Sequence, residues 1–221
     1  SDLVATAPTI PLTTQVWLFA GFALAFAVKL PLLPLHSWLV DFHLENHPSG
    51  AADLAGSLYK VGACGFFAGA IPLLPDGAAA WTPVLITLAA ATALYAGVIA
   101  TRQENLKSLL AYASLSHMGI IGVGVFSMQV TGSNGAMYFF AAQMLTTGRL
   151  FLIAGMLHAR TGTFDLAQYG GMAKSAPALA AVSLFVLFAS IGVPGLANFP
   201  GEFLSLLGAF QVNAGAAVFA T

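Results

Sequence analysis

From residue 109 to 128 the chain reads LLAYASLSHMGIIGVGVFSM, without one Asp, Glu, Lys or Arg. A run of this length is enough to cross the hydrocarbon core of a bilayer as a helix, which takes about 20 apolar residues. Other stretches of the same kind recur along the sequence. The chain is 58% hydrophobic and only 7% charged, where a soluble domain carries about 25% charged residues. A closed β-barrel would instead show alternating segments of about ten residues, and none is visible. The expected fold class is all-α: a polytopic transmembrane helix bundle forming a single domain over residues 1–221.

Hydropathy and helix breakers lay out six spans. They run from about Thr14 to Leu35, Gly50 to Leu74, Trp81 to Ala100, Lys107 to Met128, Asn134 to His158, and from Ala176 towards Ala217. Prolines interrupt the first at Pro31 and Pro34, and GVPGLANFPGE (192–202) interrupts the sixth. "PDG" at 75–77 and "TGSNG" at 131–135 read as turns. The polar connections 101–107 and 159–175 hold Arg102, Lys107, Arg160 and Lys174, on the same side as the connection 36–50. The opposite side has Asp2 and Asp76 and no Lys or Arg. By the positive-inside rule the first, third and fifth connections face the cytoplasm or its equivalent. The sequence ends inside an apolar run, AGAAVFAT, so a fragment of a longer protein is expected.

Other classes are poorly served. A net charge of −1, with no basic patch and no phosphate-cradling glycine motif, argues against nucleic acid as a partner. The lone Cys64 sits in an apolar span, which excludes a disulfide framework and a thiolate cluster. His36, His43 and His47 lie near Asp41 and Glu45 in a polar connection; a solvated or subunit-contacting loop is preferred there over a weak metal site, and no metal is expected.

Charges within the spans are the informative residues. Lys60 lies too far from either interface to snorkel easily, and a lysine at a helix centre costs about 2.5–3.5 kcal/mol. Burial suits it to taking up and releasing a proton; the plain alternative is a lysine tied to a carbonyl. Lys29 stands at the first break and stays in apolar surroundings through LPLLPL; snorkelling is its competing reading. His117 falls near the middle of the fourth span and can change charge near neutral pH, or simply pack. Glu202 follows Pro200 and Gly201, where the positive end of a half-helix favours a carboxylate, or where a helix starts at the interface. Spread over four segments, these groups read as a proton or cation path. Paired interrupted helices point the same way.

The stretches FAVKLPLLPLHSWLVDFHLENHPSG, LAGSLYKVGACGFF, NLKSLLAYASLSHMGIIGVGVF and GVPGLANFPGEFLSLLGAF resemble the antiporter-like membrane subunits of respiratory complex I, the NADH-quinone oxidoreductase. HPSG, ARTGTFDLAQYGGMA and FPGEFL are most similar to its M-type (chain 4) branch. The resemblance implies a fourteen-helix fold of two inverted repeats, each with a broken helix, of which these six spans would be helices seven to twelve. It implies proton translocation along Lys29, Lys60, His117 and Glu202. Lys60 would be the central relay, Lys29 its gating partner, His117 the link and Glu202 the exit-side group. It implies no cofactor in this chain, with NADH, FMN, iron–sulfur clusters and quinone in partner subunits, and other complex I membrane subunits as neighbours.

Two departures stand out. A histidine–glycine pair common in the fifth span of the family reads Thr147-Gly148 here, followed by Arg149, which either replaces the lost group or meets lipid or another subunit. The family's glutamate that pairs with Lys29 would lie before residue 1. The runner-up reading is a subunit of a multisubunit cation/proton antiporter or membrane-bound hydrogenase; a third is a structural membrane scaffold whose buried charges merely pair. The alanine-rich composition points to a bacterial protein, multi-pass in the inner (plasma) membrane.

Overall fold

The computed structural model describes residues 10–56 and 61–221, which form helices joined by short turns. The principal helices in chain order are α1 (Leu12–Lys29), α2 (Ser37–Glu45), α3 (Ala51–Gly56), α4 (Val61–Leu73), α5 (Pro75–Ala100), α6 (Leu106–Phe126), α7 (Val130–Thr161), α8 (Pro177–Ser190), α9 (Phe199–Phe210) and α10 (Ala214–Ala220), with two single turns, Leu166–Gln168 and Met172–Ser175, between α7 and α8. Helices α1, α5, α6 and α7 are each long and apolar enough to cross a membrane; α4, α8 and α9 are shorter apolar helices. The bundle and both broken helices of the sequence reading are present, with α1 and α2 flanking the first break and α8 and α9 the second.

The first break follows from Pro31, which lacks an N–H and disfavours helical geometry at Leu30. Backbone groups released at membrane depth must find partners inside the protein. Leu32 N bonds to Ala27 O at 3.0 Å, and Leu33 N to Thr92 Oγ1 of α5 at 3.0 Å. Trp38 Nε1 reaches back to Val28 O at 3.1 Å. The turn is therefore sealed by α5 and by its own far side, and Leu30 and Leu32 are fully buried.

Four boundaries differ from the sequence reading. Most of the connection 36–50 is helix, because α2 continues the first span beyond its break. PDG opens α5, with proline in the first turn, where its missing N–H costs nothing. TGSNG lies inside α7, its glycines serving close packing: a Cβ on Gly135 would stand 2.5 Å from Ser205 N. The sixth span stops at Phe210 because the Asn213 side chain accepts from Ala216 N and starts α10.

Helix α6 is the largely buried centre, held between α5 and α7, with α9 packed across α7. These crossings are backbone to backbone. A Cβ on Gly119 would fall 2.4 Å from Ala93 N, and one on Gly208 2.3 Å from Gly132 N. Small residues of this kind let membrane helices approach closely. Outward faces carry Trp17, Phe185 and Phe203, surfaces suited to lipid or a neighbouring subunit. The third and fifth connections meet at one end, Leu106 N to Phe164 O at 2.8 Å and Leu166 N to Glu104 O at 2.9 Å. Arg102, Arg160 and Lys174 are exposed at those connections, as the charge asymmetry requires.

Candidate functional site

The depth of His117 is set by the start of α6. Asn105 caps that helix, its Oδ1 accepting from Lys107 N at 2.9 Å and Ser108 N at 3.3 Å. His117 lies twelve residues beyond this cap, about 18 Å along the axis. Its Nδ1 is 2.7 Å from Gln143 Nε2 of α7, and Phe139 stands edge-on to its ring at 5.6 Å. Gln143 Oε1 accepts from Asn198 Nδ2 at 2.8 Å and from Thr146 Oγ1 at 3.3 Å. Asn198 Nδ2 also donates to Ser190 O at 3.0 Å, satisfying a carbonyl freed at the end of α8. A line of neutral polar groups thus runs from the middle of α6, through α7, into the second break.

Glu202 lies in the first turn of α9, on the other side of that break. Its carboxylate is seated against Gly192, where a Cβ would come 2.4 Å from Oε2 and φ is +71°. An alanine there would strain the backbone and displace the acid. His117 and Glu202 line one cavity of about 360 Å³, together with Ser116, Ile120 and Phe219.

The other expected residues are placed differently. Lys29 ends α1 and is exposed on this chain, close to where Gly62 lets α4 press on the first break: a Cβ on Gly62 would stand 2.7 Å from Leu30 N. Lys60 lies outside the described residues. Arg149 is exposed and lines a separate apolar groove of about 410 Å³ with Leu179, Val182 and Val186 of α8.

A second polar cluster was misread from sequence. His43, placed in a solvated or subunit-contacting loop, and Lys107, counted among the connection charges, are both buried within this chain. His43 Nδ1 is 2.6 Å from Asp53 Oδ1, and Lys107 Nζ is 3.4 Å from Asp53 Oδ2. Asn46 joins them, donating to Asp53 at 2.6 Å and accepting from Lys107 at 2.7 Å. His43 stacks on Phe151 at 4.3 Å, and Lys107 sits over the Phe164 ring at 5.4 Å. The physical reason is compensation: three elements converge so that each buried charge meets its opposite. The three loop histidines go separate ways, His36 packing on Tyr95 and His47 accepting from Ser49 N at 3.2 Å. Signals were available in Asp53, an acid within an apolar run, and in Lys107, a cation in the first turn of a helix, against its dipole.

Interrupted membrane helices enclosing a histidine and a carboxylate define a multi-pass membrane protein built around a polar interior. The chain belongs to the family described as NADH:quinone oxidoreductase/Mrp antiporter, transmembrane, whose profile matches residues 4–221. It is 54% identical over 197 residues to NADH-quinone oxidoreductase subunit 13 of Thermus thermophilus, covering 89% of this chain and 42% of that one. It is 40% identical over 207 residues to subunit M of Rhodobacter capsulatus, covering 94% of this chain and 40% of that one. Among solved structures, a chain of Thermus thermophilus respiratory complex I with bound NADH superposes with a TM-score of 0.91 at 53% identity, over 93% of this chain and 44% of that one. A chain of the archaeal membrane-bound sulfane sulfur reductase gives 0.89 at 27% identity, over 99% and 38%. The chain therefore spans about two-fifths of the length of these curated relatives.

Proposed function

We propose that this chain is the central portion, helices seven to twelve, of an M-type membrane subunit that moves protons across a bacterial inner membrane as part of NADH-quinone oxidoreductase. Electron transfer from NADH through flavin and iron–sulfur clusters to quinone belongs to partner subunits. Other membrane subunits cover the apolar outer faces. The observation that carries the reading is the hydrogen-bonded line from His117 through Gln143 to Asn198, ending at a helix break whose far side presents Glu202 to the same cavity.

In this mechanism Lys29 gates Lys60, the proton passes from Lys60 to His117, and Glu202 receives it on the exit side. Charges at close range in a low-dielectric interior strongly bias one another's proton affinity, so a shift at the first break redirects the proton. Arg149 stands apart from this path, against lipid or a neighbouring subunit. A second reading, the same module in a different respiratory or antiporter complex, is favoured by the sulfane sulfur reductase likeness along almost the whole chain. The partner subunits co-purified with the full protein separate the two, since flavin and iron–sulfur partners that oxidise NADH belong to the first alone.

The test is proton uptake by vesicles containing the full complex, wild type against Lys60→Ala, alongside NADH oxidation. Loss of pumping with slowed oxidation is expected. Unchanged pumping removes Lys60 from the path.

A further inference from the structure

The line from His117 to the second break has a property that follows from hydrogen-bond chemistry alone. A primary amide has two unlike ends, one donating and one accepting. With Gln143 Nε2 donating to His117 Nδ1, the ring nitrogen is the acceptor and carries no proton. Gln143 Oε1 then accepts from Asn198 Nδ2, which also holds Ser190 O. Gln143 and Asn198 therefore point in one sense, while the Thr146 hydroxyl, 3.4 Å from both Asn198 Oδ1 and Nδ2, serves either.

We propose that Gln143 and Asn198 are positioning residues that transmit the protonation state of His117 to the break between α8 and α9. This rests on the assignment of His117 to the proton path. When a proton adds to Nδ1, the N–H of the imidazolium meets the NH2 of Gln143, donor against donor. Relief requires the Gln143 amide to turn, offering Oε1 to His117 and Nε2 to Asn198. Asn198 then faces donor against donor, and its own amide turns to offer Oδ1. Ser190 O loses its donor at that moment, and the break that carries Gly192 is released beside Glu202. When the proton leaves, the line returns to its first sense. Leaving any buried donor or acceptor unmatched costs about 1–3 kcal/mol, so the first sense is favoured while His117 is neutral, and the turned sense, with Ser190 O unmatched, is held only by the proton on His117.

Among the described residues lining the cavity of His117, Glu202 of α9 is the charged one, while α5 contributes Ala93 and Gly97, α10 contributes Phe219, and Thr101 and Thr221 follow those two helices. Arg149 of α7 lines a different groove.

The experiment measures the pH profile of proton pumping and NADH oxidation in vesicles containing the full complex. The limb removed by His117→Ala identifies the His117 titration. If that variant removes no limb and pumps normally, the proposed path fails at His117 and the relay falls with it. If the limb is found, Asn198→Leu decides the relay, because Asn198 lies one residue beyond the contact with His117. Without its committed donor, Gln143 is free to turn, protonated His117 is favoured, and the alkaline limb moves to higher pH. Asn198→Asp, which accepts from a turned Gln143 and adds a negative charge, moves it further, by about 1–3 units. The double variant Gln143→Met/Asn198→Leu shifts the limb no more than Gln143→Met alone, the non-additivity expected of residues acting in one network. A limb that stays at its wild-type position in Asn198→Leu, or shifts that add in the double variant, overturns the relay while leaving the proton path standing. Should Asn198→Leu fail to assemble, Asn198→Asp keeps the polar packing and is read the same way.

Discussion

Two polar clusters are buried in this bundle, and they are built on opposite principles. Near the connection end, His43, Asp53, Asn46 and Lys107 gather full charges and match them, with Phe151 and Phe164 covering the rings and the ammonium. Near the second break, the amides of Gln143 and Asn198 and the hydroxyl of Thr146 form a line that ends on the His117 ring. An ion pair has one satisfied arrangement, whereas an amide line can be turned, exchanging donors for acceptors along its length. The charged cluster is suited to holding α2, α3 and α6 together, and the neutral one to changing state. The difference teaches that buried polarity is no index of function; what matters is whether the arrangement has an alternative that a single proton can select.

Removing one partner of a buried ion pair strands the other, at about 3–5 kcal/mol. Asp53→Ala therefore gives the largest stability loss, seen as little assembled complex and a lower unfolding temperature of the full subunit. The paired replacement Asp53→Leu/Lys107→Met recovers most of that loss and keeps pumping, because no charge is left stranded; failure to recover would mean that the charged cluster takes part in transport. Gln143→Leu sharpens the contrast from the other side. It costs about 1–3 kcal/mol of stability, because His117 and Asn198 lose a buried partner, less than the stranded charge, yet slows pumping about tenfold, a barrier change of roughly 1.4 kcal/mol. Equal losses of assembly in Gln143→Leu and Asp53→Ala would erase the distinction. Thr92→Val, which takes the acceptor from Leu33 N at the first break, destabilises by about 1–3 kcal/mol in thermal unfolding of the complex. Arg149→Gln, on the outer groove, stays within about 0.5 kcal/mol of wild type and leaves the pumping rate unchanged.

Much of the fold could be read from residues because the bilayer narrows the choices. Apolar runs above the spanning length must be helices, since no other open structure satisfies its backbone in hydrocarbon. Pro31 and the GVPGLANFPGE stretch marked both breaks, and Arg102, Arg160 and Lys174 marked one end. The turn assignments at PDG and TGSNG went wrong because Gly and Pro were taken as breakers. Proline is equally at home in a first turn, and Gly132 and Gly135 are needed where α9 touches α7. His117 and Glu202 stood out as titratable groups in apolar sequence. Gln143 and Asn198 did not, since a neutral amide in a membrane helix has no distinguishing charge and its value lies wholly in its partners.

The sequence by itself determined that this chain crosses a membrane several times, where its helices break and which family it belongs to, because those properties are local or additive along the chain. The tertiary structure alone decided that His43 and Lys107 are buried together on Asp53, that Thr92 seals the first break, and that His117, Gln143 and Asn198 form one line. Each of these joins residues from different helices. A hydrogen bond or ion pair needs its atoms within about 3 Å, and only the packing of helix against helix brings such distant positions that close.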